Sequence, residues 1–138
     1  MAQANIDLVK RAFAAFGERD ADALVDVVHP ECEFFPMTRL LANEGRPYEG
    51  LPGIRRYLHD VATTWAELEV KPVQFQAGDD HVVVHGRVRG LTVNGVEVDS
   101  PADWIWKIRE GKLAWGCVYA KRDASVAMRA AGLAPAAP

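Results

Sequence analysis

Cysteine is scarce in this chain: it has two, Cys32 and Cys117, each inside an apolar stretch. No Cys/His cluster has zinc spacing, and a free cysteine packs as a small hydrophobe, so buried reduced thiols are expected and no metal site. Neither GxGxxG nor GxxxxGK[ST] occurs, which removes the phosphate-loop signatures. The longest apolar runs are far too short for a bilayer, so no membrane partner is expected. Basic residues are outnumbered, 16 Lys and Arg against 19 Asp and Glu for a net charge of −3, so there is no basic footprint for nucleic acid. The first residues lack a basic segment followed by an apolar run, so no signal peptide is expected, and a cytoplasmic, reducing location follows as the default.

What is present reads as one globular domain. Hydrophobic residues make up 49% and charged residues 25% of the 138, near the globular averages. That length suits a single core. The expected domain is 1–133, followed by an Ala/Pro tail, 134–138, that should fray.

Ile6, Val9, Phe13 and Phe16 recur at helical spacing, and Gly17 ends that face. Asp20 or Asp22 is placed to cap a second short helix carrying Leu24, Val27 and Val28, stopped at His29-Pro30. A short strand over 32–35 and a loop punctuated by Gly45, Pro47 and Gly50 follow. A third helix starts near Pro52 and aligns Ile54, Tyr57, Leu58, Val61 and Trp65 on one side. Beyond Trp65 the period becomes two, with strand segments broken at Pro72. Long strands then run over 81–93, 96–109 and 113–121, with turns at Asn94-Gly95 and Glu110-Gly111, and a last short helix is expected near 123–131. Helices followed by a strand meander predict an α+β fold: a curved antiparallel sheet on three N-terminal helices, with a short C-terminal helix.

If Asn94-Gly95 is a two-residue turn, His85 pairs with Trp104, Arg87 with Ala102 and Arg89 with Ser100. One face then carries His85, Arg87, Arg89, Trp104 and Trp106, and the other Val82, Val84, Val88, Asp103, Ile105 and Lys107. Both faces are mixed, so the pattern alone leaves open which is concave.

Several phrases resemble the SnoaL-like family of the nuclear transport factor two-like superfamily. They are residues 9–16 (VKRAFAAF) before Asp20, His29-Pro30-Glu31, Tyr48-Glu49-Gly50 before Gly53-Ile54-Arg55, and residues 106–113 (WKIREGKL). The resemblance implies a cone-shaped fold with a ligand cavity and a homodimer formed through the sheet. It implies a cavity wall of Arg87, Arg89, Ala102, Trp104 and Val118, closed by Phe13, Phe34, Tyr48, Leu58 and Trp65.

The family's chemistries test differently. Ketosteroid isomerases use a Tyr and an Asp where this chain resembles them with Ala12 and about Pro36. Epoxide hydrolases of this superfamily use an Asp-Arg-Asp set; Arg87 matches, while Arg89 and Val118 stand at the two Asp positions. Polyketide cyclases use a late-strand Asp where Lys121 stands, with Asp123 as a nearby substitute. His85 and Arg87 remain as catalytic candidates, an acid/base and an anchoring guanidinium fork. The expectation is a pocket for a small, largely apolar, oxygen-bearing molecule, with cofactor-independent proton transfer (isomerisation or cyclisation) as one outcome. A non-catalytic binding or dimeric interaction module is the alternative.

Overall fold

The computed structural model describes residues 2–36, 46–119 and 131–133. The element order is α1 (Ala2–Gly17), α2 (Ala21–Asp26), β1 (Val28–Phe35), β2 (Tyr48–Glu49), α3 (Gly50–Thr64), β3 (Trp65–Ala77), β4 (His81–Thr92), β5 (Glu97–Arg109) and β6 (Lys112–Tyr119). The six strands form one curved sheet in the order β2-β1-β6-β5-β4-β3. The expected last helix, the tail 134–138, Lys121 and Asp123 lie outside the described residues, apart from 131–133.

The helices form for the reasons their sequences suggest. α1 buries Leu8, Val9, Ala12, Ala15 and Phe16. Asp20 is the cap of α2, and its carboxylate accepts the Ala23 N–H at 3.1 Å. α3 begins at Gly50 with Pro52 in its first turn, where a missing N–H costs nothing, and buries Gly53, Ile54, Leu58 and Val61. All three helices pack on one face of the sheet, in a core with Tyr48, Val82, Val84, Ala102, Trp104 and Val118.

Three expectations are corrected. The sheet is mixed, because β1 runs parallel to β6, with Phe34 opposite Gly116. β1 already starts at Val28, so His29 and Pro30 belong to a strand instead of a helix-ending turn. β3 continues through Pro72, with a register shift between Pro72 and Gln74. It is the sheet's edge strand, and an edge is where a missing ladder N–H is tolerated.

The fourth correction decides the site. Thr92 N–H bonds the Val96 carbonyl at 2.9 Å and Gly95 N–H bonds the Thr92 carbonyl at 3.0 Å. The loop is therefore the three residues Val93-Asn94-Gly95, with Gly95 at φ 89°. That is a type I turn closed by a left-handed glycine, the other common loop that Asn-Gly fits. The true two-residue turn is Glu110-Gly111, with φ 54° and 73°, joining the paired Arg109 and Lys112. The longer loop slips β5 by one residue, and a one-residue slip moves every side chain to the other face. Trp104 now lies opposite Val84, Ala102 opposite Gly86, and Asp103 opposite His85.

A candidate ligand cavity and the outer face

The helix-facing side of the sheet now collects the apolar residues of both hairpin strands. Phe13 meets Trp104 edge-on at 5.2 Å between centroids. Trp106 stacks on Phe34 at 5.3 Å with the planes 8° apart. Phe34 meets Tyr57 at 4.9 Å, and Tyr57 stacks on Phe16 at 5.8 Å. These rings surround an apolar cavity of about 50 Å³, closed by Leu24, Val28, Ile54, Val70 and Leu113 among others. That space is roughly four times the minimum for a single water, room for one small ring or a short chain.

One polar atom in this setting is unsatisfied. Trp106 Nε1 is sealed from solvent and has no hydrogen-bond partner, the one such buried side-chain atom among the described residues. Buried indole N–H groups usually find an acceptor, and leaving one unpaired costs about 1–3 kcal/mol. Tyr57 also lines the cavity, and burial pushes the pKa of its hydroxyl well above the ordinary phenol range. It stays protonated at neutral pH and can donate but not act as a base. Tyr48 is held likewise: burial and its 2.7 Å hydrogen bond to Asp60 raise its pKa.

Of the residues expected at the pocket, Phe13, Phe34 and Trp104 line the cavity. Tyr48, Leu58, Trp65, Ala102 and Val118 are buried in the same core without lining it. Trp106, Tyr57 and Phe16 do line it, although sequence reasoning left them out of the site. The helical spacing of Tyr57 with Ile54 and Leu58 carried that signal.

His85, Arg87 and Arg89 are on the opposite face. His85 Nδ1 lies 3.1 Å from Asp103, whose side chain is only 10% exposed. Arg87 Nε reaches Asp99 at 2.5 Å, and Arg89 lies 3.9 Å from the same carboxylate. Arg87 and Arg89 are thus partly exposed ion-pair partners of Asp99 on the outer sheet surface, and the partly exposed His85 contacts Asp103 there. Trp104 lies on the helix-facing side and Asp103 on the outer side, and the companions of Trp104 are valines and not arginines. Farther along the outer face, Val83, Ile105, Cys117 and Tyr119 form a second apolar cluster with Ala131, and Leu133 packs against it. Burial pushes the Cys32 thiol up to about 12, so it stays protonated within the core.

Among the described residues no three His, Cys, Asp or Glu side chains converge to hold a metal ion, and no helix is long and apolar enough to cross a membrane. Residues 9–115 match the SnoaL-like domain family. The chain belongs to the SnoaL-like family. Solved structures agree on the fold. An NTF2-like protein of unknown function from Burkholderia pseudomallei K96243 is 20% identical, with a TM-score of 0.77 over 91% of this chain and 95% of that one. TerC, co-crystallised with polyporic acid, is 24% identical, with a TM-score of 0.75 over 92% and 96%. A putative polyketide cyclase from Xanthomonas campestris pv. campestris is 18% identical, with a TM-score of 0.73 over 91% and 96%. No curated protein matches the chain. In this SnoaL-like chain the apolar cavity lies on the helix-facing side of the sheet, with aromatic and aliphatic walls.

Proposed function

We propose that this SnoaL-like protein binds a small, largely apolar molecule carrying a carbonyl or similar oxygen acceptor. The observation that supports this reading is the unpartnered Trp106 Nε1 among the rings of an apolar cavity. A ligand oxygen that reaches this N–H would recover the hydrogen bond left unmade among the described residues, while its body replaces any water against Phe13, Phe34 and Trp104. Binding without turnover is favoured over proton transfer. Among the described residues the cavity is lined by no carboxylate, histidine, lysine or arginine, so the acid/base pair such chemistry needs is missing from its walls. That TerC was crystallised with a small molecule is in keeping with this use of the fold.

The test compares cyclohexanone with methylenecyclohexane, which has the same shape and no acceptor, in wild type and Trp106→Phe. Wild type should prefer the ketone by about tenfold, the worth of one buried hydrogen bond. Trp106→Phe should abolish that preference and leave the fold as stable as before, since it also removes the orphaned donor. Equal affinity of wild type for the two compounds would sink the proposal.

The homodimer implied by the family resemblance is carried forward as a second proposal, with the sheet's outer face as the contact. The exposed rows there are charged, with the ion pairs Arg87–Asp99 and Lys71–Glu69, so a second copy would meet mainly charged side chains. Sedimentation equilibrium should give twice the chain mass, and Arg87→Glu should shift it toward one. A wild-type monomer at tens of micromolar would reject the contact.

A further inference from the structure

The aromatic column that begins at Trp106 ends on a cation. Trp106, Phe34, Tyr57 and Phe16 follow one another ring to ring, and the Arg19 guanidinium lies over Phe16, 4.4 Å from its centroid. Arg19 stands in the turn between α1 and α2 at φ 54°, a left-handed conformation that glycine or asparagine usually takes. One terminal nitrogen donates to the Phe16 carbonyl, and the other donates to the Leu68 carbonyl at 2.9 Å. The side chain is thereby tied between the end of α1 and β3, beside two cavity-lining rings.

Its charge, however, is unanswered. Among the described residues no carboxylate pairs with Arg19, whereas Arg11, Arg55, Arg87, Arg89 and Arg109 each have one. A guanidinium carries five N–H donors, so the two carbonyl bonds leave others free. Tyr57 adds a neutral hydroxyl: burial raises its pKa, and the nearby Arg19 charge pulls the other way. A cation already immobilised by carbonyls loses little freedom on meeting an anion, which makes it a preorganised acceptor of negative charge.

We propose that Arg19 recognises an anionic group at the Phe16–Tyr57 edge of the cavity. The ligand is then an amphipathic anion, with its apolar body among the cavity rings and a carboxylate or phenolate at Arg19. This inference rests on the cavity reading above and narrows its ligand class. The competing role for Arg19 is a purely structural clamp between α1 and β3.

Cyclohexanecarboxylate and cyclohexanecarboxamide separate these roles, because they share a body and a carbonyl and differ in charge. Wild type should bind the carboxylate about tenfold more tightly at low salt. The preference should shrink as ionic strength rises from about 20 to about 300 mM, since Arg19 faces solvent. Arg19→Asn, with a residue that tolerates the left-handed backbone, should bind both compounds equally, and Arg19→Lys should retain part of the preference. Equal binding by wild type, or a preference that survives Arg19→Asn, overturns the role of Arg19 and leaves the cavity reading standing. Binding of neither compound removes the cavity reading and this inference together. If Arg19→Asn does not fold, the salt series on wild type decides, and a preference insensitive to salt overturns the proposal.

Discussion

Replacing Trp104 by alanine is expected to cost about 3–5 kcal/mol, the range for deleting a large buried aromatic. Trp104 is 3% exposed, meets Phe13 edge-on and lies opposite Val84 and Val118 in the ladder. Its removal therefore opens a void between α1 and the middle of the sheet, where neighbouring strands cannot close in without breaking their hydrogen bonds. The loss should appear as a fall of roughly 10–15 °C in Tm. Arg87→Ala is the matched control. Arg87 is a half-exposed partner of Asp99, so its loss should change stability by less than about 1 kcal/mol and leave cyclohexanone binding untouched. If Arg87→Ala abolished binding while Trp104→Ala melted normally, the assignment of the two faces would have to be reversed.

Gly116→Ala should be nearly as damaging, by the opposite mechanism. A Cβ at Gly116 would stand 2.3 Å from Trp106 Cζ3 and 2.4 Å from Cε3. The indole has little room to move, because it is already stacked on Phe34, which lies across Gly116 on the neighbouring strand. Overpacking of this kind costs typically 1–3 kcal/mol, and a rigid ring places it near the upper end. The displaced Trp106 should also lose cyclohexanone and change its near-ultraviolet circular dichroism. Combining Gly116→Ala with Trp106→Leu should recover more than about 1 kcal/mol of the stability loss, a coupling expected only between residues in direct contact. A Gly116→Ala variant that melts and binds like wild type would show that this close approach does not shape the cavity.

Both results turn on one loop residue. Asn94-Gly95 is compatible with a two-residue turn, in which both residues are left-handed, and with a three-residue loop, in which only the glycine is. Local chemistry does not choose between them. Burial does. The three-residue loop aligns Val82, Val84 and Val88 with Ala102, Trp104 and Trp106, and leaves His85, Arg87 and Arg89 beside Asp103 and Asp99. The two-residue alternative sets tryptophans among arginines on one face and valines among charges on the other.

Other features carried no such local signal. The two residues of β2 are too few for periodicity to mark, and the parallel pairing of β1 with β6 joins segments about eighty residues apart. β3 runs through Pro72 because it is an edge strand, a fact of sheet order that no window of sequence contains. Among the described residues no acceptor reaches Trp106 Nε1 in three dimensions, and no window of sequence shows that.

The sequence by itself determined the three helices, a cap at Asp20 or Asp22, the strand-rich second half and the family. Each of these is written in short-range periodicity, capping chemistry or phrases along the chain. Only the tertiary structure decided which face of the sheet is inside, and with it that the cavity is aromatic while His85 and Arg87 are paired on the outer surface. Side chains alternate across a strand with period two, so that decision waits on a register set by the collective burial of two strands and three helices.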